Sequence, residues 1–447
     1  MVREKSFYKT LFVVSFPAAL QSVISFSKTT VDTIMVGQLG DLPLAGVAIS
    51  NQVVAFLFTL FLGLSSGSSV LIAQYWGKKD VATIRRIFAL VFMLCSGVGL
   101  IAMLFVLLFP AGILGLMTNE QDIIRTAIPY FTIVSFSFAM YAASSALVMM
   151  FRNMEVVMAA LWISLFTSGL NILLNWFLIF GRFGFPAMGI RGAAISTVIV
   201  RFVELSLILI YALALQKKIL LRIKDLFLPK LSIAVDFAKH GLPIALGDSQ
   251  WAFFTVVKAA VIGHLGTIMV SANAIADTIM SLGFIGSASL AAGACVAVGK
   301  AVGSGDYKKA REYSNTIQIL FVGMAIIMAL SVFMLRIPIV NLFVISDEVR
   351  SYSIRMVTIG AFTLLGTLYH ASCFVGINRG SGDGRFVAKV DFICAWIIVL
   401  PLLYLTAHVW QLSYPLVFLA ARFDQCFKWI VAFFRLRGNK WIRNVTS

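Results

Sequence analysis

Shifted by 226 residues, the first half of the chain falls on the second without a gap for about seventy positions. Pro17 meets Pro243, Gly37 meets Gly263, Leu39-Gly40 meet Leu265-Gly266, and Ala48-Ile49 meet Ala274-Ile275. Further on, Gly67 meets Gly293, Gly77 meets Gly303, Asp80 meets Asp306 and Arg85 meets Arg311. Both copies are apolar enough for lipid. Across the 447 residues 60% are hydrophobic and 12% charged, where a soluble chain carries about twice that share of charge. A duplicated block of membrane spans is the usual architecture of a secondary transporter.

A helix needs about 20 apolar residues to cross the hydrocarbon core. By that measure twelve spans are expected, near 11–36, 44–75, 87–117, 128–151, 156–180, 187–215, 242–262, 270–299, 316–343, 354–377, 386–409 and 412–434. The apolar run after the first ten residues contains Lys28 and Asp32 and reads as a first membrane helix, not a cleaved signal peptide. The expected fold is an all-α polytopic membrane protein with 12 transmembrane helices in two six-helix pseudo-symmetric lobes. Residues 1–215 form the first lobe and 241–447 the second, joined by a basic cytoplasmic linker, 216–240. In that linker Ile219, Leu220, Ile223 and Phe227 alternate with Lys217, Lys218, Arg222 and Lys224, as in a helix lying on a membrane surface, with a solvated linker making some apolar contacts as the alternative.

The formal charge of +17 is unevenly spread. With the amino terminus inside, the outer segments hold at most Arg125, Arg182, Arg191, Arg336, Arg350 and Arg355 of the 36 Lys and Arg. That asymmetry places both termini in the cytoplasm and turns the basic excess toward anionic lipid. No basic-aromatic groove motif argues for nucleic acid. The five cysteines (Cys95, Cys295, Cys373, Cys394, Cys426) show no pairing or CxxC spacing and read as small buried hydrophobes. There is no Walker, HExxH or Gly-x-Ser-x-Gly motif, so the chain does not read as an enzyme. Any transport would draw on an ion gradient, with no cofactor beyond a coupling H+ or Na+.

Charge inside a membrane span costs about 2.5–3.5 kcal/mol on insertion scales, so each instance needs a reason. Gln21, Ser25, Lys28 and Asp32 share one face of the first span, at i, i+4, i+7 and i+11. Asp32 is a candidate proton or sodium site, and a Lys28–Asp32 ion pair is the plain structural alternative. The matching face of the seventh span holds Asp248, Trp251, Thr255 and Lys258, with Gln250 beside it; Lys258 stands at the repeat position of Asp32. An Asp248–Lys258 pair is the plain alternative there. Ser164, Ser168, Asn171 and Asn175 form a third such face, whose oxygens suit sodium or a carboxyl group; hydrogen bonds that stitch membrane helices together are the plain alternative. Arg201 and Glu204 read as a stabilising pair, and Asp277 and Asp391 as further carboxylates that could line a path.

These stretches are also where a family resemblance lies. Val31-Asp-Thr-Ile-Met-Val-Gly-Gln-Leu-Gly40, Gly184 through Thr197, Gly241-Leu-Pro243, Arg379-Gly-Ser-Gly-Asp383 and the tail Lys440-Trp-Ile-Arg-Asn444 resemble the multidrug and toxic compound extrusion (MATE) family. The resemblance implies a central cleft between the lobes, rocker-switch access, and export of organic cations from the cell against protons or sodium. It makes Asp32, fifteen residues after the helix-kinking Pro17, the coupling aspartate, with Pro243 the matching kink. Asn171 becomes the first member of an N-x-x-x-D pair, and Thr197 the sixth-helix threonine. Sodium, if bound, would sit at Asp32, Asn171 and Asn175. Two departures stand out: Asn175 replaces the usual Asp, and Lys28 adds a positive charge. Both weaken a sodium cage and make an amphoteric or anionic substrate credible. The remaining expectations are a monomeric multi-pass protein of the cell membrane, with a small-molecule substrate and lipid as its partners. A flippase for lipid-linked intermediates is the alternative function.

Overall fold

The structure is a computed structural model that describes every residue except 1, 3, 119, 183, 185, 217–230, 344, 439, 446 and 447. The expected linker, surface helix or solvated segment, therefore lies mostly outside the described residues; helix resumes at Leu231, nine residues before the expected end of the linker. The first half contains α1 Lys5–Gly37, α2 Asp41–Ser66, α3 Ser69–Gly77, α4 Val81–Leu108, α5 Pro110–Gly115, α6 Gln121–Ser135, α7 Ser137–Asn153, α8 Met158–Phe180 and α9 Ile190–Ile210. The second contains α10 Leu231–Asp236, α11 Leu242–Gly263, α12 Thr267–Gly303, α13 Tyr307–Val340, α14 Asp347–Ser372, α15 Gly384–Phe392, α16 Leu400–Tyr404, α17 Tyr414–Ala420 and α18 Asp424–Arg437. Short π-helical turns extend α9, α14, α15 and α16 and join α10 to α11. No strand occurs among the described residues.

Nine helical segments among the described residues are long and apolar enough to cross a membrane, and α6 with α7, bent by 45°, make a tenth. Two expected crossings remain. One is α11, whose Asp248, Gln250 and Lys258 dilute its apolar run. The other is the pair α17 and α18, interrupted at Ala421–Phe423 beside the buried Arg422. The fourth and eleventh crossings are likewise not single regular helices: Pro129 lies inside α6, and π-turns interrupt α15 and α16.

The repeat reaches the helix ends. α1 and α10 begin 226 residues apart, as do α2 and α12, and α4 and α13; α1 and α11 end at the same interval, as do α3 and α12. The matched turns after α1 and α11 pivot on Gly40 (φ 109°) and Gly266 (φ 95°), backbone conformations that L side chains rarely adopt. The matched basic loops end in true caps. Asp80 accepts from Thr83 N at 3.0 Å, and Asp306 from Lys309 N at 3.0 Å. At Asp80 partial burial pushes the carboxyl pKa up, but hydrogen bonds from the Thr83 hydroxyl and amide outweigh it and hold it below its ordinary value. Asp80→Ala should cost about 1 kcal/mol at neutral pH. Because the folded pKa is depressed, that contribution is present above the unfolded value and fades as pH falls through the folded one. Thermal unfolding of the wild type and the variant at pH 7 and again well below the ordinary carboxyl pKa, where the difference between them should shrink, checks this.

The compact units do not coincide with the halves of the sequence. The amino-terminal unit comprises residues 20–72 and 80–245, and the carboxy-terminal unit residues 1–19, 73–79 and 246–447. Each repeat thus lends the start of its first helix to the other unit. Glycines mark where these segments pack. Within the amino-terminal unit, a Cβ on Gly67 would lie 2.7 Å from the Gly241 carbonyl oxygen. The repeat-related contact, within the carboxy-terminal unit, puts a Cβ on Gly293 2.4 Å from Ser15 Oγ. Gly77 and Gly303 are tighter still: a Cβ on Gly303 would lie 2.0 Å from the Gln74 carbonyl oxygen. Backbone cannot yield as a flexible side chain can. Gly303→Ala should therefore destabilise by about 1–3 kcal/mol, the usual cost of overpacking. Gly97→Ala, whose Cβ meets nothing within 4 Å, is the control that should leave the melting temperature unchanged or slightly raised.

The carboxy-terminal unit is cored by Met269, Ile279, Met356, Leu364, Leu368 and Phe418 at one end and by Phe7, Phe321, Phe374 and Trp441 at the other. Two stretches that carry the family resemblance meet there. Ser381 Oγ donates to the Trp441 carbonyl at 2.8 Å, and the buried Asp383 accepts from Arg435 at 2.7 and 2.8 Å. Their task is to fasten the tail.

Candidate functional site: a carboxylate held by two asparagines

In the amino-terminal unit, α8 presents Asn171 and Asn175 one turn apart to Asp32 of α1. Asn175 Nδ2 donates to Asp32 Oδ1 at 2.7 Å. With its amide nitrogen turned to the carboxylate, Asn171 donates to Oδ1 at 2.9 Å and Oδ2 at 3.2 Å, while its own oxygen accepts from Ser196 Oγ at 3.1 Å. The reverse orientation sets that oxygen against acceptors alone. Both asparagines are buried, and so is Ser196. Asp32 is only half-buried. Asn175 Oδ1 is buried with no hydrogen-bond partner among the described residues. Such an orphan acceptor beside a carboxylate is a place where a proton or cation would be welcome.

Lys28, one turn from Asp32, is half-buried and makes no hydrogen bond or ion pair with it among the described residues. The structural ion pair is thus not formed. Arg201 and Glu204 do pair, at 2.6 Å, and the guanidinium lies over the rings of Tyr141 at 4.5 Å and Phe58 at 5.4 Å.

The carboxy-terminal unit answers with ion pairs. Asp248 is gripped by both terminal nitrogens of Arg379, at 2.5 and 3.0 Å, so the Asp248–Lys258 alternative is not formed either. Asp277 accepts from Arg422 at 2.5 Å and from Asn273 at 2.9 Å. Lys428 bridges Asp391 at 3.0 Å and Asp424 at 2.8 Å, and its ammonium lies 5.3 Å from the Trp251 ring centre. Gln250 accepts from Trp396 Nε1 at 2.7 Å. Lys258, half-buried, has no ion pair among the described residues. No cluster of three or more His, Cys, Asp or Glu among the described residues has the form of a metal centre.

The family model MatE matches residues 17–177 and again 243–405, two matches that start 226 residues apart like the repeat itself. The chain belongs to the MATE family. It is 26% identical over 419 residues to the probable multidrug resistance protein NorM of Thermotoga maritima, covering 91% of this chain and 87% of that one. It is also 26% identical to the multidrug resistance protein MdtK of Edwardsiella ictaluri, covering 91% and 89%. Among solved structures, a MOP superfamily transporter from Pyrococcus furiosus superposes with a TM-score of 0.85 at 19% identity, covering 96% of this chain and 95% of that one. The eukaryotic MATE transporter AtDTX14 superposes with a TM-score of 0.82 at 21% identity, covering 98% and 96%. The chain therefore has the MATE transporter fold and is a multi-pass membrane protein.

The structure of this MATE protein distributes the expected site residues unevenly. Asp32, Asn171 and Asn175 come together. Thr197 does not join them: its hydroxyl donates to the Ala193 carbonyl of its own helix at 3.0 Å, and the neighbouring Ser196 faces Asn171 instead. Gln21 and Ser25 share the α1 face but make no direct bond to Asp32 among the described residues. Pro17 lies inside α1, while Pro243 is the second residue of α11, directly after a π-turn. Arg379, Arg422 and Lys428 were not anticipated. Arg422 and Lys428 lie within the expected twelfth span, where a cation alone should have marked them.

Proposed function

We propose that this chain is a secondary active exporter of the cell membrane, a multidrug efflux antiporter that uses Asp32 to couple substrate export to proton entry. The observation that carries the reading is the buried pair of asparagines on a half-buried carboxylate. As arranged, two amide N–H groups satisfy the ionised carboxylate, and one amide oxygen lacks a donor. A proton arriving on Asp32 converts an acceptor into a donor and supplies what Asn175 Oδ1 lacks, provided the amide turns. A sodium ion would need both amide oxygens turned inward around a single negative charge, a poorer cage than two carboxylates. This favours the proton. The relatives named as multidrug resistance proteins support efflux as the direction of transport. Both termini then lie in the cytoplasm.

Lys28 and Lys258 favour a second reading of the substrate. Both stand on polar helix faces without ion pairs among the described residues, so an amphoteric or anionic solute has partners that a simple organic cation lacks. Proteoliposomes decide among these. A fluorescent organic cation and an anionic dye are each followed under an imposed pH gradient and then a sodium gradient. Transport driven by pH alone supports the coupling reading, and transport driven by sodium alone overturns it. Movement of the anion in preference to the cation selects the second substrate. Movement of neither, with a lipid-linked substrate crossing instead, selects a flippase.

A further inference from the structure

A groove of about 1330 Å³ runs through the carboxy-terminal unit between α13, α14 and α18. One stripe of α13 forms its floor: Arg311, Asn315, Ile319, Val322 and Ile326 follow at helical intervals of three and four. The stripe changes from cationic through polar to apolar along its length. From Arg311 to Ile326 it spans about 22 Å at the rise of an α-helix. One leaflet of hydrocarbon is about 15 Å thick, half the bilayer core, so the stripe is as long as a leaflet plus part of its headgroup layer.

The walls repeat this polarity. Phe362 of α14 and Trp429 and Phe433 of α18 line the apolar part, and Phe362 remains 65% exposed. Arg437, at the end of α18, lines the same groove as Arg311 and lies 4.3 Å over the Phe433 ring. No acidic side chain lines the groove, and neither arginine has an ion pair among the described residues. The mid-groove polar groups are already occupied: Gln318 holds the Tyr369 hydroxyl at 2.8 Å, and Gln425 holds Thr367 Oγ1 at 2.7 Å. What is left open is two guanidinium groups and the Asn315 amide above an apolar channel.

We propose that this groove binds one anionic phospholipid of the phosphatidylglycerol class from the leaflet at the basic end of the unit. Arg311 and Arg437 hold the phosphate, and Asn315 faces the glycerol region. An acyl chain lies along Ile319, Val322 and Ile326 against Phe362 and Trp429. Guanidinium is the cation best shaped for phosphate, and its planar face tolerates the aromatic contact that Arg437 already makes. The site takes lipid as a resident, not as cargo; none of the residues assigned to coupling lines it.

Native mass spectrometry of the full, delipidated chain tests this, with phosphatidylglycerol and phosphatidylcholine of matched chains added at equal concentration. The expected result is preferential retention of phosphatidylglycerol. Arg311→Gln with Arg437→Gln should weaken that retention about tenfold or more, since each basic residue near a membrane surface contributes on the scale of a fewfold in affinity. Ile326→Trp, which fills the groove and spares both arginines, should also weaken it, and serves if the arginine variant does not fold. Equal retention of the two lipids, unchanged retention in both variants, or full displacement by inorganic phosphate at millimolar concentration would each overturn the proposal.

Discussion

Asp32→Asn should reduce gradient-driven transport to the leak rate while the protein stays folded. The substitution is nearly isosteric. The introduced amide would still offer its oxygen to the Asn171 amide nitrogen, and to Asn175 either that same oxygen as an acceptor for Nδ2 or, if the Asn175 amide turns, its own nitrogen as a donor to Oδ1. The hydrogen-bond balance therefore shifts by about 1 kcal/mol in either direction, too little to unfold the lobe. What disappears is the charge that a proton can cancel. An ion gradient drives a conformational cycle only if the ion has different free energy in the two states, and a side chain that cannot titrate offers no such difference. The measurement is uptake into proteoliposomes under an imposed pH gradient, beside a melting curve of the same preparation. Full transport in a folded variant would remove Asp32 from the coupling role. Loss of transport with an unchanged melting curve would separate coupling from structure.

The first half of that site was legible because helical spacing is a local rule. Asp32 falls on a face with Lys28, and Asn171 with Asn175, before any tertiary contact is known. That the two faces meet follows from the fold. Ser196 shows the limit: it and Thr197 are adjacent hydroxyls on α9, and a rotation of about 100° between successive residues decides which one reaches Asn171. The salt bridges were beyond reach for a different reason. Asp248 finds Arg379, 131 residues away, and Asp277 finds Arg422, 145 residues away, and no periodicity links such positions. The nearer partners that stand as alternatives in the sequence, Lys28 for Asp32 and Lys258 for Asp248, are not the ones tertiary packing supplies. The repeat was legible to within a residue at several helix ends because Asp80, Asp306, Gly40 and Gly266 set those ends by local chemistry. The transfer of residues 1–19 to the carboxy-terminal unit was not, since it depends on close approaches such as Gly293 to Ser15 that a lone glycine does not announce.

Lys428→Met should destabilise the carboxy-terminal unit by about 3–5 kcal/mol, the cost of breaking a buried ion pair from one side. The lysine is 1% exposed and is the cation between Asp391 and Asp424. Methionine keeps much of the stem's volume, so the loss is electrostatic more than steric. Asp424 is itself 5% exposed at its side chain and would be left with its charge and without its partner. The pair Lys309–Glu4 supplies the contrast. Its side chains are 36% and 46% exposed and screened by solvent, so Lys309→Met should leave the melting temperature nearly unchanged. Removing all three charges, in Lys428→Met with Asp391→Asn and Asp424→Asn, should recover most of the lost stability, because neutral partners carry no penalty for a buried charge. Melting temperatures of the wild type, single and triple variants measure this directly. Recovery of both stability and transport in the triple variant would make the cluster a structural brace. Recovery of stability without transport would give these charges a part in transport beyond bracing the unit.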